Sequence, residues 1–388
     1  MEITPFHVNV SQEILDDLAM RLKSTRWPDE IPNSGWDYGT NRAYIKGLLD
    51  YWGSEFNWRV QENAINGFPN FRANIDGLNI HFIHERGKGP NPLPIIITHG
   101  WPSSFYEMLK IIPFLTDPAS HGGESEDSFD VVVPSLPGYG FSDRPHRPGM
   151  TNRTIADLWA EVMSDLGYDR FGAYGGDIGA GVTAWLGLLH PKQVVGIHVT
   201  SVREPYLGEG VPPLSEAEKA YVALQERWND DENGYGHIQS TRPQTLAYGL
   251  NDSPAGLAAW IVEKFRAWSD CDGDVEKRFT KDELLTNITI YWVTQTINSS
   301  VRLYYEHKHN PRPFKKGERI EIPCGVALTK EEVDHAPREW AERTYNIQHW
   351  TELPSGGHFV ASEEPKLLAE DIRSFFRRLR NADAVDIA

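Results

Sequence analysis

Apolar positions recur along this chain with two different periods, and the switches between them divide it. From Ser11 to Trp27 the residues Ile14, Leu15, Leu18, Ala19 and Leu22 fall three and four apart, the spacing of one helix face, and Pro28 closes the run. Asn41 to Phe56 repeats the pattern through Tyr44, Ile45, Leu48, Leu49 and Trp52. Neither helix buries its apolar face alone, so this leading segment must pack on a body that follows. Phe71 to His84 changes to strand-like alternation around Asp76-Gly77, which predicts a hairpin.

Short, mostly apolar runs come next. Pro94 to Thr98, Asp130 to Pro134, Phe171 to Ala173 and Val194 to Thr200 each read as a strand buried on both faces. The segments between them, Ser103 to Leu115, Ile155 to Leu166 and Val182 to Leu189, read as helices. Such alternation predicts an α/β fold with a mostly parallel central sheet flanked by helices. Alternation stops between Pro205 and Arg319, a helical stretch interleaved with aromatics, and resumes with the strand Ile320 to Leu328. A helix near Pro337 to Thr344, a strand Gln348 to Leu353 and a helix Pro365 to Arg380 close the chain. The expected organisation is an N-terminal extension (1–75), a first core part (76–204), an inserted, mainly helical cap (205–319) and a second core part (320–388).

Composition narrows the class. A net charge of −17 argues against nucleic acid or an anionic membrane surface as a partner, since both require basic patches. Cys271 and Cys324 are the only cysteines, so neither a disulfide framework nor a C-x-x-C site is expected. The first residues show no signal-like pattern, and no segment approaches a membrane span of about 20 apolar residues. A cytoplasmic protein without membrane association is expected. Thirteen Trp and fifteen Tyr suggest an aromatic-lined apolar space. His81 and His84 face opposite sides of a strand and so predict no metal site. No cofactor is expected.

Candidate chemistry centres on Arg170 to Gly181, where an apolar run leads through Gly175-Gly176 to Asp177, then Ile178-Gly179 and a helix. Small residues two before and two after a tip residue are the grammar of a strained strand-to-helix turn that presents a nucleophile. A carboxylate at the tip can attack carbon and form an ester. Two other readings fit the turn by itself. One is Asp177 as a plain helix cap; in the other, Gly179 to Ala184 matches G-x-G-x-x-A with Glu204 about 20 residues on, as in dinucleotide binding.

A covalent hydrolase further needs oxyanion donors, a base and an acid that orients the base. His358, in Gly356-Gly357-His358-Phe359, stands where the base belongs in the order nucleophile, acid, His. Glu331, Glu332 and Asp334 compete for the acid, with Glu204 as the alternative position. His99-Gly100-Trp101-Pro102 ends the strand that should carry the oxyanion loop, so the N–H groups of Trp101 and Ile178 are the expected donors.

These residues give the chain a resemblance to the α/β-hydrolase-fold epoxide hydrolases, in the microsomal-type branch with an N-terminal extension. The likeness runs through Tyr51-Trp52, Phe56 to Arg59, Ile75 to Phe82, His99 to Pro102, Gly138 to Ser142, Gly175 to Gly179 and Gly356 to Phe359. Two cap stretches match as well, Gly234 to Pro243 and Ser299 to Glu306. The resemblance implies an α/β-hydrolase fold and two cap tyrosines aimed at the nucleophile, Tyr235 and Tyr304, with Tyr305 the neighbouring alternative. It places the acid at Glu332, ahead of His335-Ala336-Pro337-Arg338-Glu339-Trp340. It implies opening of a small hydrophobic epoxide to a vicinal diol through an ester on Asp177, with no cofactor or metal. The hydrophobic anchor of the membrane-bound relatives has no counterpart in this sequence. The alternative is a haloalkane dehalogenase using the same Asp, against which the tyrosine pair argues. A serine esterase lacks its G-x-S-x-G, and a catalytically silent binder would lack one of these groups. Oligomeric state stays open, with a homodimer as the expectation.

Overall fold

The computed structural model describes residues 2–332 and 335–382. In chain order, β1 (Ile3–Pro5) precedes three helices, α1 (Gln12–Lys23), α2 (Arg42–Ser54) and α3 (Trp58–Asn66), and the hairpin β2 (Asn70–Ile75) and β3 (Leu78–Glu85). β4 (Leu93–Thr98), α4 (Ile112–Thr116), β5 (Phe129–Pro134), α5 (Asn152–Asp165), β6 (Phe171–Gly175), α6 (Ile178–Leu189) and β7 (Val194–Val199) build the first part of the core. The cap follows as α7 (Glu216–Asp231), α8 (Gly234–Thr241), α9 (Pro243–Asp252), α10 (Pro254–Trp268), α11 (Lys281–Thr294) and α12 (Ile297–His309). β8 (Ile320–Leu328), α13 (Arg338–Glu342), β9 (Tyr345–Glu352), α14 (Val360–Glu363) and α15 (Pro365–Ala382) complete the fold.

All nine strands form one sheet in the order β1-β2-β3-β5-β4-β6-β7-β8-β9. The strands from β5 to β9 run parallel, and β1, β2 and β3 add an antiparallel edge. β5 is buried along its whole length, as a strand covered on both faces must be. Asp76 and Gly77 turn the β2–β3 hairpin with φ of 49° and 78°, the double left-handed geometry of a two-residue turn.

The leading segment is more than a packing layer, because its two ends are strands of the same sheet. Its helices bury Leu18, Ile45, Leu48, Leu49, Trp52, Trp58 and Ile65. The third helix escapes a periodicity reading, since only Trp58, Val60, Ala64 and Ile65 are apolar in it. It is fixed instead by Glu62, whose Oε1 accepts from Val10 N–H at 2.7 Å and Trp58 Nε1–H at 3.0 Å. The helix expected over Ser103 to Leu115 is a 3-10 turn over Phe105–Lys110 followed by α4. Pro113, without an N–H, suits the first turn of a new helix and not the interior of a continuous one. In β8, Pro323 interrupts the ladder, and the register with β9 shifts between Ile320 and Pro323.

The two histidines of β3 are structural. His81 shares hydrogen bonds with Ser135 Oγ (2.8 Å) and Asn70 Oδ1 (2.9 Å), and His84 with Tyr168 OH (2.9 Å). No metal-holding cluster occurs among the described residues.

Asp371 clamps α15 to the sheet: its two oxygens meet His198 Nε2 at 2.7 Å and His349 Nε2 at 2.8 Å. Burial by itself would raise this carboxyl, but the two histidines hold it well below the ordinary range. A depressed carboxyl contributes stability that is present above its unfolded value, about 3.9, and is lost as pH falls below it. Asp371→Asn is expected to cost about 2–3 kcal/mol in urea unfolding at neutral pH, with the difference from the parent narrowing below about pH 4.

Candidate active site

The turn between β6 and α6 holds Asp177 at φ 50° and ψ −125°, a strained conformation for a non-glycine residue. Crowding explains its small neighbours. A Cβ on Gly175 would lie 2.2 Å from the Gly179 carbonyl oxygen, and one on Gly179 would lie 2.0 Å from that of Thr98. Asp177 occupies the N-cap position of α6, but its side chain makes no capping bond. It turns instead towards the end of β4, where Oδ1 accepts from Trp101 N–H at 2.8 Å. The Ile178 N–H donates to the same carboxylate. Both expected oxyanion donors therefore converge on one side chain.

His99, Gly100 and Pro102 make that convergence possible. His99 Nε2 accepts from Leu136 N–H at 3.2 Å, so Nδ1 carries the proton and donates to the Gly100 carbonyl at 2.9 Å. Burial pushes His99 down to about 4, which keeps it in this neutral form. A Cβ on Gly100 would sit 2.3 Å from Asp177 Oδ1. The Pro102 carbonyl accepts from Asn287 Nδ2 of α11 at 2.9 Å, which joins the oxyanion loop to the cap.

His358 lies between two carboxylates, with Nδ1 3.0 Å from Glu332 Oε1 and Nε2 3.6 Å from Asp177 Oδ2. Burial disfavours its imidazolium, yet Glu332 and Asp177 together hold its pKa well above the ordinary histidine value. Burial likewise works to raise Asp177, and is outweighed by His358 and the Trp101 and Ile178 N–H groups, so this carboxyl stays below its usual range. The resting pair is imidazolium and carboxylate. Asp177 keeps 23% of its side-chain surface open although protein surrounds it, so the open part faces an internal space under the cap.

Tyr235 (α8) and Tyr304 (α12) roof that space. Tyr235 stacks on Trp101 with ring centres 5.2 Å apart and planes within 6°, and Tyr304 meets both rings edge-on at 5.9 Å. Burial first, and the Asp177 charge in addition, push both phenols far above 10, so they are hydrogen-bond donors at neutral pH. Trp268, at the end of α10, packs 5.1 Å from both Tyr235 and His358 and closes the aromatic wall. Nothing in its sequence surroundings sets it apart from the other cap aromatics.

The remaining candidates lie elsewhere. Tyr305 stacks on His309 at 3.8 Å. Glu331 and Glu204 are exposed, and Asp334 lies outside the described residues. The G-x-G-x-x-A stretch is buried inside α6, where a Cβ on Gly181 would lie 2.2 Å from Asn152 Nδ2, which leaves no room for a pyrophosphate.

Residues 3–108 match the family model described as epoxide hydrolase N terminus, and residues 94–270 match that of the alpha/beta hydrolase fold. A putative epoxide hydrolase of Stigmatella aurantiaca is 46% identical over 97% of this chain and 86% of its own length. The chain belongs to the epoxide hydrolase family. Epoxide hydrolase 1 of Oryctolagus cuniculus is 39% identical over 96% of this chain and 88% of its own length. Among solved structures, the juvenile hormone epoxide hydrolase of Bombyx mori superimposes with a TM-score of 0.88 at 32% identity, covering 98% of this chain and 96% of its own. The Aspergillus niger epoxide hydrolase gives 0.85 at 30%, covering 98% and 97%. This epoxide hydrolase therefore has the α/β-hydrolase fold, acts on a cyclic ether, and has no helix among its described residues long and apolar enough to cross a membrane.

The charge arrangement is open to test by histidine NMR. A raised histidine contributes stability below its unfolded value, about 6.5, that is lost as pH rises through the folded one. Asp177→Asn removes one of the two carboxylates, so the His358 titration is expected to move to lower pH. An unmoved midpoint would show that Asp177 does not set the His358 charge.

Proposed function

We propose that this epoxide hydrolase works through a covalent ester on Asp177, and that the shared Asp177 carboxylate is the observation that carries the reading. One oxygen, Oδ1, is engaged by the Trp101 N–H, while Oδ2 faces His358 and the space under the cap. Oδ2 is thus the nucleophilic oxygen. It attacks a ring carbon of the epoxide as the C–O bond breaks, and Tyr235 and Tyr304 donate hydrogen bonds and a proton to the departing oxygen. Neutral phenols suit a leaving alkoxide, which is poor unless its charge is met as it forms.

Ester formation removes the negative charge of Asp177. His358 then loses one of the two carboxylates that keep it charged and gives up its proton, which through solvent restores the phenol deprotonated in the first step, so the imidazole becomes a base at the moment one is needed. Oriented by Glu332, it takes a proton from water, and the oxygen of that water attacks the Asp177 carbonyl carbon. The resulting oxyanion on Oδ1 meets the Trp101 and Ile178 N–H groups, already in place. The bond from Cγ to Oδ2 breaks, Oδ2 leaves with the diol and takes the second proton of the attacking water, and the water oxygen becomes part of the carboxylate beside a reprotonated His358. The aromatic wall of Trp101, Trp268, Tyr235 and Tyr304 favours a hydrophobic epoxide.

His358→Gln should form the ester and hydrolyse it about 100-fold more slowly or worse. Intact-mass analysis after mixing with styrene oxide is expected to show an adduct of one substrate mass on the peptide containing Asp177. No adduct there with several epoxides would sink the covalent reading. Tyr235→Phe and Tyr304→Phe are each expected to slow ester formation by about 100-fold and to leave hydrolysis of a preformed ester nearly unchanged, as rapid-quench mass analysis would show.

A further inference from the structure

The loop that carries His358 is mounted on the cap. Four successive backbone N–H groups are engaged. Gly356 donates to Asp270 Oδ2 at 3.1 Å, Gly357 to Glu363 Oε2 at 3.1 Å, His358 to the Trp268 carbonyl at 2.8 Å and Phe359 to Glu363 Oε1 at 3.0 Å. Glu363 Oε2 also accepts from Asp270 N–H at 2.9 Å. One carboxylate therefore joins the segment that follows α10 to both neighbours of His358. Contact is tight, since a Cβ on Gly357 would lie 2.5 Å from the Trp268 carbonyl oxygen.

The Glu363 side chain has no exposed surface (0%), and no step of the reaction uses it. Burying a carboxylate is costly unless hydrogen bonds and a counter-charge compensate. Here three backbone N–H groups do so, with Arg278 Nε at 4.0 Å. Arg278 itself is held by Asp270 and Glu364. From the 3-10 turn before α4, the buried Glu107 adds a like charge that works against ionisation of both acids. The Trp268 ring packs on His358 as well, so the clamp bears on the base through both backbone and ring.

We propose that Glu363 is a positioning residue for the hydrolytic half-reaction, holding His358 and the Trp268–Asp270 segment of the cap in one frame. The proposal rests on the two-step reading above. Attack on the epoxide relies on Asp177 and the phenols, which sit on α6, α8 and α12 and make no bond to Glu363. Activation of water relies on the aim of His358 at the ester, and small displacements of a base are costly. Burial raises the Glu363 carboxyl to about 7, against the Asp270, Phe359 and Gly357 N–H groups and Arg278. The clamp therefore tightens as pH rises through neutrality and Glu363 gains its charge.

Glu363→Gln keeps the size but turns a donor towards N–H groups. In single-turnover reactions with styrene oxide, alkylation is expected to stay within about twofold of the parent, while ester hydrolysis falls about tenfold or more. Ester should then accumulate at steady state, and KM should fall together with kcat. Ester hydrolysis in the parent should gain a limb near pH 7 that Glu363→Gln lacks and that alkylation never shows. Should Glu363→Gln fail to fold, Arg278→Gln removes the counter-charge instead and is expected to move that limb to higher pH. Equal losses in both half-reactions would make Glu363 a purely structural residue, and hydrolysis at the parent rate would remove its role. Failure of His358→Gln to form any Asp177 ester would instead remove the underlying two-step reading.

Discussion

Everything in the site depends on one carboxylate held at a strained turn. Asp177 sits at φ 50° because β6 must reverse into α6 within two residues, and the glycines around it exist to let three backbones approach. The strain has a chemical return. It aims one oxygen at the Trp101 N–H and leaves the other free between His358 and the cap. Such geometry divides the roles of the two oxygens before a substrate arrives, so the oxyanion donors need no rearrangement when charge develops.

In the proposed mechanism, electrostatics order the two steps. The imidazolium of His358 and the Asp177 carboxylate stabilise each other in the resting state, and each keeps the other in its charged form. A charged histidine is no base, which protects the nucleophile from competing for its own water. In the proposed reaction, alkylation removes the Asp177 charge and so reverses the balance. Burial keeps the phenols protonated, and the same negative charge adds to that effect, so one group acts on both the donors and the base. The cap is part of this arrangement, since α8, α10 and α12 supply the donors and the residue that packs on the base.

Much of this was legible in the sequence, and for physical reasons. A turn as crowded as the one at Asp177 requires small residues at fixed spacing, and parallel strands buried on both faces are short and mostly apolar. His358 was legible from its glycine-flanked position after the last strand. Tyr235 and Tyr304 lie in ordinary amphipathic helices, and only resemblance to a family singled them out. Glu332 could not be separated from Glu331 by spacing, whereas burial against His358 does separate them. The hydrogen bonds of Glu363 are not legible in the sequence because they come from backbone N–H groups, which leave no mark on the residues they belong to. In the fold, β1 was missed because three residues ending in a proline carry no period. The helix expected from Ser103 to Leu115 is divided ahead of Pro113, whereas the strand Ile320–Leu328 keeps both ends and Pro323 shifts only its register with β9.

The central claim is that the oxygen given to the diol comes from Asp177 and not directly from water. A single turnover with enzyme in excess, run in water enriched in heavy oxygen, tests it. The account predicts an unlabelled first-turnover diol and a labelled carboxylate in the peptide containing Asp177. A labelled diol from the first turnover, with Asp177 unlabelled, would mean direct attack by water and would contradict the account.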